Sequence, residues 1–339
     1  MRRIAVLIAT MTLLGGVPVA ALAARSASGV CAQPRLLVLS AFPAEMGKIM
    51  KATKLDSIEP IRSAPPASKE FWTGTLETKL VILALSGIGP VNATDTTTAA
   101  FTVFNCISGV VFSGVAGAGL DHGAGRGSRR SRIGDVTVPD RWTTDGGATW
   151  LTADHRMLTT AAAVAGSVSL QNTTPVGDRA CACVDAGTVP GVTFPYTPTV
   201  LLHGDGSTTD PFGGHAAPCL QHGGDLAGCE PCPAALGTSP DPQRFLSGME
   251  GAADPGFFSG LVSQGSGSGH EFIEFDEETG AAAAVANSKR VPFIGFRAIS
   301  DGTADPLMLP GFPSQFFVYT QLAADNAAAM TLAFVNAWS

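Results

Sequence analysis

Glu45, Ser86, Glu277, Glu278, Arg297 and Asp301 stand at or just beyond the ends of short apolar runs. Glu45 follows the run Leu36–Ala41, and Ser86-Gly87-Ile88-Gly89 follows Leu80–Leu85. Glu277 and Glu278 open an alanine-rich stretch, and Arg297 to Asp301 close the run that starts at Pro292. In open α/β sheets the ligand site forms beyond the carboxyl ends of strands, so polar groups at several such ends are expected to converge. Carboxyl groups gathered there can give and take protons, and an arginine beside them can orient what they act on. Each residue also has a plainer reading. Asp301 alone would be a helix N-cap, and Glu45 a solvated helix residue. Glu277-Glu278 would complement a helix dipole, and the Ser86–Gly89 segment would be only a turn.

A second group could bind a metal. Cys181, Cys183, His215, Cys219, His222, Cys229 and Cys232 fall within about fifty residues, by the ligand types that zinc uses. Their spacing matches no defined zinc module, and an exported chain favours disulfides. No metal and no organic cofactor is expected. The seven cysteines also include Cys31 and Cys106, and the odd number leaves one thiol over. Cys106, beside an apolar run, is the candidate for that free, buried thiol. His203 and His270 read as polar loop residues.

The elements that would position these groups alternate between strand and helix. Strands are predicted over Leu36–Ala41, Phe71–Leu76, Leu80–Leu85, Gly109–Gly114, Gly134–Val138, Thr199–His203 and Pro292–Ile299. Helices are predicted over Ala44–Lys51, Val91–Phe104, Ala153–Val168, Glu278–Lys289 and Ser314–Trp338. That order implies an α/β three-layer sandwich, with a central mixed, largely parallel sheet flanked by helices. Residues from about 171 to 270 are rich in Gly, Pro, Asp and Cys, and read as an inserted, disulfide-stapled excursion ending in the linker-like Gln264–Gly269.

Of 339 residues, 45% are hydrophobic and 14% charged, which suits one globular domain over 24–339. The net charge of -7 and the lack of a basic stripe argue against a nucleic-acid polymer as partner. The cluster Arg126, Arg129, Arg130 and Arg132 sits in a Gly/Ser-rich loop and reads as solvated. Residues 1–23 read as a signal peptide: Arg2-Arg3, the apolar stretch Ile4–Leu14, and the small-x-small site Ala21-Leu22-Ala23. The mature chain is therefore expected to be secreted or periplasmic, with no membrane association after cleavage.

Six segments, in order, resemble the nucleoside phosphorylase/nucleosidase superfamily. They are Leu39–Glu45, Ser86–Asn92, Phe112–Gly117, Ile133–Val138, Phe275–Glu278 and Val291–Asp301. They look most like the methylthioadenosine/adenosylhomocysteine nucleosidase branch and the related secreted plant bark-storage proteins. The resemblance implies a purine-nucleoside N-glycosidase that releases free base. In that reaction negative charge builds on the leaving base and positive charge on the sugar. Asp301 matches the general acid, which must hold a proton near neutral pH. Glu45 matches the residue that activates water, with Ser86 and Arg297 orienting it. Glu278 matches the ribose-binding glutamate, and Glu277 stands beside it where the nucleosidases carry Met. Phe212 is the candidate for the base-stacking aromatic.

The family's phosphorylases hold phosphate with an arginine in the segment that here reads Ser40–Glu45. A carboxylate there suits water and repels phosphate, which favours hydrolysis over the alternative, a phosphate-dependent phosphorylase. The Asp276-Glu277-Glu278 form keeps a second alternative open, a non-catalytic nucleoside-binding or storage protein. The resemblance also implies a homo-oligomer, and a purine nucleoside as small-molecule partner.

Overall fold

The computed structural model describes residues 33–65, 68–119, 131–175, 191–238 and 271–339. The expected signal peptide at 1–23, Cys31, the arginines from 126 to 130, Cys181, Cys183, the linker-like 264–269 and His270 lie outside the described residues.

Strand β1 (Arg35–Ser40) is buried from Leu36 onward and pairs in parallel on both edges. That explains its unbroken apolar run. Helix α1 (Pro43–Ala52) starts with Pro43 in its first turn, where the missing N–H costs nothing, and buries Met46, Ile49 and Met50. Short strands β2 (Lys54–Leu55) and β3 (Ile61–Arg62) edge β4 (Glu70–Leu76). β4 turns back antiparallel into β5 (Lys79–Leu85), which lies beside β1. Helix α2 (Pro90–Val103) leads to β6 (Ile107–Ala118), the long strand on the other side of β1.

Next come β7 (Val136–Val138), β8 (Arg141–Thr143), β9 (Leu151–Thr152) and α3 (His155–Ala165). The Asp154 carboxylate accepts from the backbone N–H of Arg156 and Met157, capping α3. β10 (Thr173–Pro175) and β11 (Gly191–Thr193) form a separate antiparallel pair. β12 (Val200–Leu202), β13 (Asp205–Thr208), the single turn α4 (Gly224–Ala227) and β14 (Glu274–Asp276) follow. Helix α5 (Thr279–Ser288), β15 (Phe293–Asp301) and α6 (Ser314–Ala337) complete the chain.

The architecture is a three-layer α/β sandwich on a mixed, largely parallel sheet. Alternation along β1 divides the core. Leu36 and Val38 pack with residues of α1, α3 and α6, while Leu37 and Leu39 pack with residues of α2 and α5. Beyond β1 the sheet closes on itself. β6 pairs with β15, and β15 with β7; β8, two residues after β7, pairs with β13, then β14, which returns to β6.

Three strands of this ring, β8, β13 and β14, were not anticipated. β13 and β14 have four and three residues, and their inward positions are polar or glycine, so they carry no apolar periodicity. β12 and β13 also lie within the stretch expected to be an excursion, so the sheet threads through it. β6 runs four residues past its expected end at Gly114, through Val115-Ala116-Gly117-Ala118, where small residues make room for side chains of the site.

Cys106 is not a free thiol; it is half-buried and disulfide-bonded, and the buried Cys232 is disulfide-bonded as well. Cys219 and Cys229 pair with each other. Thiols held in disulfides are not metal ligands, and among the described residues no group of three or more His, Cys, Asp or Glu is placed to hold an ion. Among the described residues no helix is long and apolar enough to cross a membrane.

Candidate active site

Arg297 is the centre of the site. It projects from β15, is 1% exposed, and donates in three directions. Nε donates to Thr279 Oγ1 at 2.7 Å, Nη1 to the Val115 carbonyl at 2.9 Å, and Nη2 to Glu278 Oε2 at 2.8 Å. Glu45 Oε1 and Asp276 Oδ2 each lie 3.6 Å from the guanidinium, which sits 4.4 Å over the Phe112 ring. Burial alone would lower the pKa of Arg297, but the carboxyls of Asp276, Glu278, Glu45 and Glu274 hold it charged.

Glu45 lies in the first turn of α1 and is buried, not solvated. Oε2 accepts from the Ala41 N–H at 2.6 Å and Oε1 from the Val115 N–H at 2.7 Å. Burial pushes its carboxyl up to about 8, with Glu278 adding to the shift and Arg297 opposing it. The approach of Glu45 to Arg297 depends on Gly114, where a Cβ would fall 2.5 Å from Glu45 Oε1 and 2.6 Å from Arg297 Nη1.

Glu278 occupies the N-cap position of α5 without capping it. Asp276 does that instead, its Oδ1 accepting from the N–H of Glu278 at 2.9 Å and of Thr279 at 2.8 Å. The Glu278 side chain is thereby free to reach the glycine turn, where Oε1 accepts from the Gly89 N–H at 2.8 Å. Gly89 holds a φ of 92°, a conformation natural to glycine. Burial raises the Glu278 carboxyl, and Arg297 opposes the rise. Glu277 is half-buried, and its carboxyl is pushed well up by burial, then by Glu278 and Asp276.

Asp301 is the last residue of β15 and caps no helix, since α6 begins at Ser314. Its carboxyl lies against Gly117, where a Cβ would fall 3.1 Å from Oδ2. Burial raises its pKa, partly offset by the Ser300 hydroxyl donating to Oδ1 at 2.9 Å. Ser86 is buried, and its hydroxyl donates to the Gly87 carbonyl at 2.8 Å. Phe212 packs its ring on Gly89, where a Cβ would fall 2.8 Å from Cδ2. Asn92 ties the same segment down, donating to the carbonyls of Ile88 at 2.8 Å and Ala217 at 2.7 Å. Among the described residues, the 209–238 stretch thus lies against the glycine turn that holds Glu278.

Glu45, Glu278 and Arg297 therefore form one bonded cluster, with Asp301, Glu277 and the Phe212–Gly89 contact around it. Sequence reasoning missed Glu274 and the part Asp276 plays. The usable signal was Glu274-x-Asp276 itself, two acids at strand spacing that face the same way.

Residues 35–190 match the family model of the phosphorylase superfamily. An uncharacterised protein of Mycobacterium tuberculosis is 40% identical over 199 residues, which cover 59% of this chain and 77% of that relative. A second uncharacterised protein of the same organism is 59% identical over 68 residues, 20% of this chain and 92% of that relative. Among solved structures, the fold is shared with the 5′-methylthioadenosine/S-adenosylhomocysteine nucleosidase of Neisseria meningitidis (TM-score 0.52, 18% identity, 89% of this chain and 98% of that one). The S-adenosylhomocysteine nucleosidase of Streptococcus pyogenes matches with a TM-score of 0.53 and 17% identity over 92% of this chain and 100% of that one. Futalosine hydrolase of Helicobacter pylori matches with a TM-score of 0.51 and 16% identity over 89% of this chain and 97% of that one.

Proposed function

We propose that this chain is an exported purine-nucleoside N-glycosidase that hydrolyses the bond between base and ribose. The observation that carries the reading is the buried Glu45–Arg297–Glu278 cluster beside the Asp301 carboxyl, whose pKa is raised by burial. A carboxyl that keeps its proton towards neutral pH can donate it to the leaving base as negative charge builds there. Asp301 takes that role. The ribose then carries positive charge, which an ionised Glu278 stabilises while accepting from the sugar hydroxyls. Glu45, once ionised, takes a proton from the water that attacks the anomeric carbon. Its two backbone N–H donors and Arg297 hold it in place for that step. Ser86 and Arg297 bound the water site, and Phe212 flanks the base.

Hydrolysis is preferred to phosphorolysis because of charge. Arg297 already has Glu278 bonded to it and Glu45 and Asp276 beside it, which leaves little positive potential for a phosphate dianion. Export is supported by the signal-like N-terminus and by disulfides at Cys106, Cys219–Cys229 and Cys232.

The test offers adenosine, inosine, guanosine and methylthioadenosine to the mature, oxidised protein, with and without phosphate, beside Asp301→Asn. Base release that needs no phosphate and is lost in the variant supports the reading. Release only with phosphate would make it a phosphorylase. Binding without release would make it a nucleoside-binding protein.

A further inference from the structure

Glu274 has no part in the reaction as proposed, yet it is fully buried inside the ring of strands, two residues from Asp276 on β14. Alternate residues of a strand point to one face, so the two carboxyls project together. Their outer partners are accounted for. Glu274 Oε1 accepts from Trp142 Nε1 at 2.8 Å. Asp276 Oδ1 accepts from Thr208 Oγ1 at 2.7 Å and from the two backbone N–H groups at the start of α5. The remaining oxygens, Glu274 Oε2 and Asp276 Oδ2, are both buried, and neither has a donor among the described residues. Arg297 Nε, 3.6 Å from Asp276 Oδ2, spends its hydrogen on Thr279.

Two buried carboxylates left side by side without donors would be strongly unfavourable. One proton between them removes both defects, because a protonated carboxyl is a donor and the neighbouring carboxylate an acceptor. We propose that Glu274 and Asp276 share a single proton, Glu274 Oε2 donating to Asp276 Oδ2, and that this pair positions Arg297 from behind the candidate site. Burial, and then the adjacent Asp276, hold the Glu274 carboxyl well above its ordinary range. Asp276 keeps the charge that faces Arg297 and caps α5, the helix that carries Glu278. The groups facing the pair are Arg297 from β15, Trp142 from β8, Thr208 from β13, and Glu277, Glu278 and Thr279 at the start of α5.

The pair's proton is a property of the folded chain, and its tests do not all depend on activity. A glutamine at 274 can replace a protonated glutamate: its carbonyl accepts from Trp142 and its amide donates to Asp276. Infrared difference spectra of wild type and Glu274→Gln at pH 7 are expected to show loss of one protonated-carboxyl band. Glu274→Gln should match the wild-type Tm at pH 7. Its Tm should fall less as pH rises, since stability held by a carboxyl with a raised pKa is lost as pH climbs through that value. Loss of a carboxylate band instead, a variant that fails to fold, or an unchanged pH slope would each overturn the proposal. If base release is detected, the alkaline limb of kcat/KM should move to higher pH in Glu274→Gln, which a merely structural role would not produce. No base release from wild type would count against the proposed activity alone, and the infrared and Tm outcomes would still decide the pair.

Discussion

Arg297 donates from Nη2 to Oε2 of Glu278 at 2.8 Å, and neither side chain is more than 2% exposed. The bond joins β15 to the start of α5, so the strand that ends in Asp301 and the helix that begins beside Glu278 are set against each other by one ion pair. Removing one partner of such a pair strands the other in a water-free interior. Arg297→Ala is expected to lose about 3–5 kcal/mol of stability, by the usual cost of a broken buried pair. Arg297→Lys should also fail to restore the site, because one ammonium cannot span Thr279, Val115 and Glu278 as the planar fork does. Urea unfolding of the three proteins checks both statements. Retention of wild-type stability in Arg297→Ala would contradict them.

Asp301 is held differently. Its carboxylate accepts from the neighbouring Ser300 hydroxyl, and no cation pairs with it among the ion pairs of the described residues. Asp301→Asn should therefore leave Tm nearly unchanged. If Asp301 is the general acid, the same variant should slow base release by about a hundred- to ten-thousand-fold, the usual worth of such a group. A large fall in Tm would instead mark Asp301 as structural. Base release at the wild-type rate would remove it from the reaction.

The layered fold was legible because β1, β5 and β15 are buried on both faces and so read as apolar runs, while α2 and α5 carry helix-forming alanines between them. Glu45 and Arg297 were legible by their place at strand ends and by family resemblance. What could not be read was the interior of the ring. Glu274, Asp276, Thr208 and Trp142 come from three short strands far apart in sequence, and each looks like surface until its partners are known. Cys106 was misread for a related reason. A half-buried thiol beside an apolar strand looks like a small hydrophobe, and its bonding depends on a distant residue.

Glu45 makes stability depend on pH in a defined direction. Its carboxyl is raised from 4.5 to about 8, so the folded chain holds this proton more tightly than the unfolded one. The stability linked to it is complete below pH 4.5 and is lost as pH rises through about 8. Glu45→Gln should flatten that decline. It should also cost about 1–3 kcal/mol overall, because one of the Ala41 and Val115 N–H donors then meets an amide instead of an acceptor oxygen. Thermal unfolding across the pH range measures both effects. In kinetics, kcat/KM should rise towards pH 8 as Glu45 ionises and becomes able to take a proton from water.

Gly114 offers a test that leaves every charge in place. It lies on β6 opposite Arg297 of β15, and an added methyl would fall within 2.6 Å of both Glu45 Oε1 and Arg297 Nη1. Neither group can give way freely. Glu45 is tied to two backbone N–H groups, and Arg297 to Thr279, Val115 and Glu278. Gly114→Ala should therefore destabilise the chain by about 1–3 kcal/mol, the range for overpacking a filled interior. The strain should fall on the contact between Glu45 and Arg297, so base release should suffer more than substrate affinity. Urea unfolding together with separate kcat and KM values tests this. A variant with wild-type stability and kcat would mean that Glu45 and Arg297 can part without consequence, and the site would have to be assigned elsewhere.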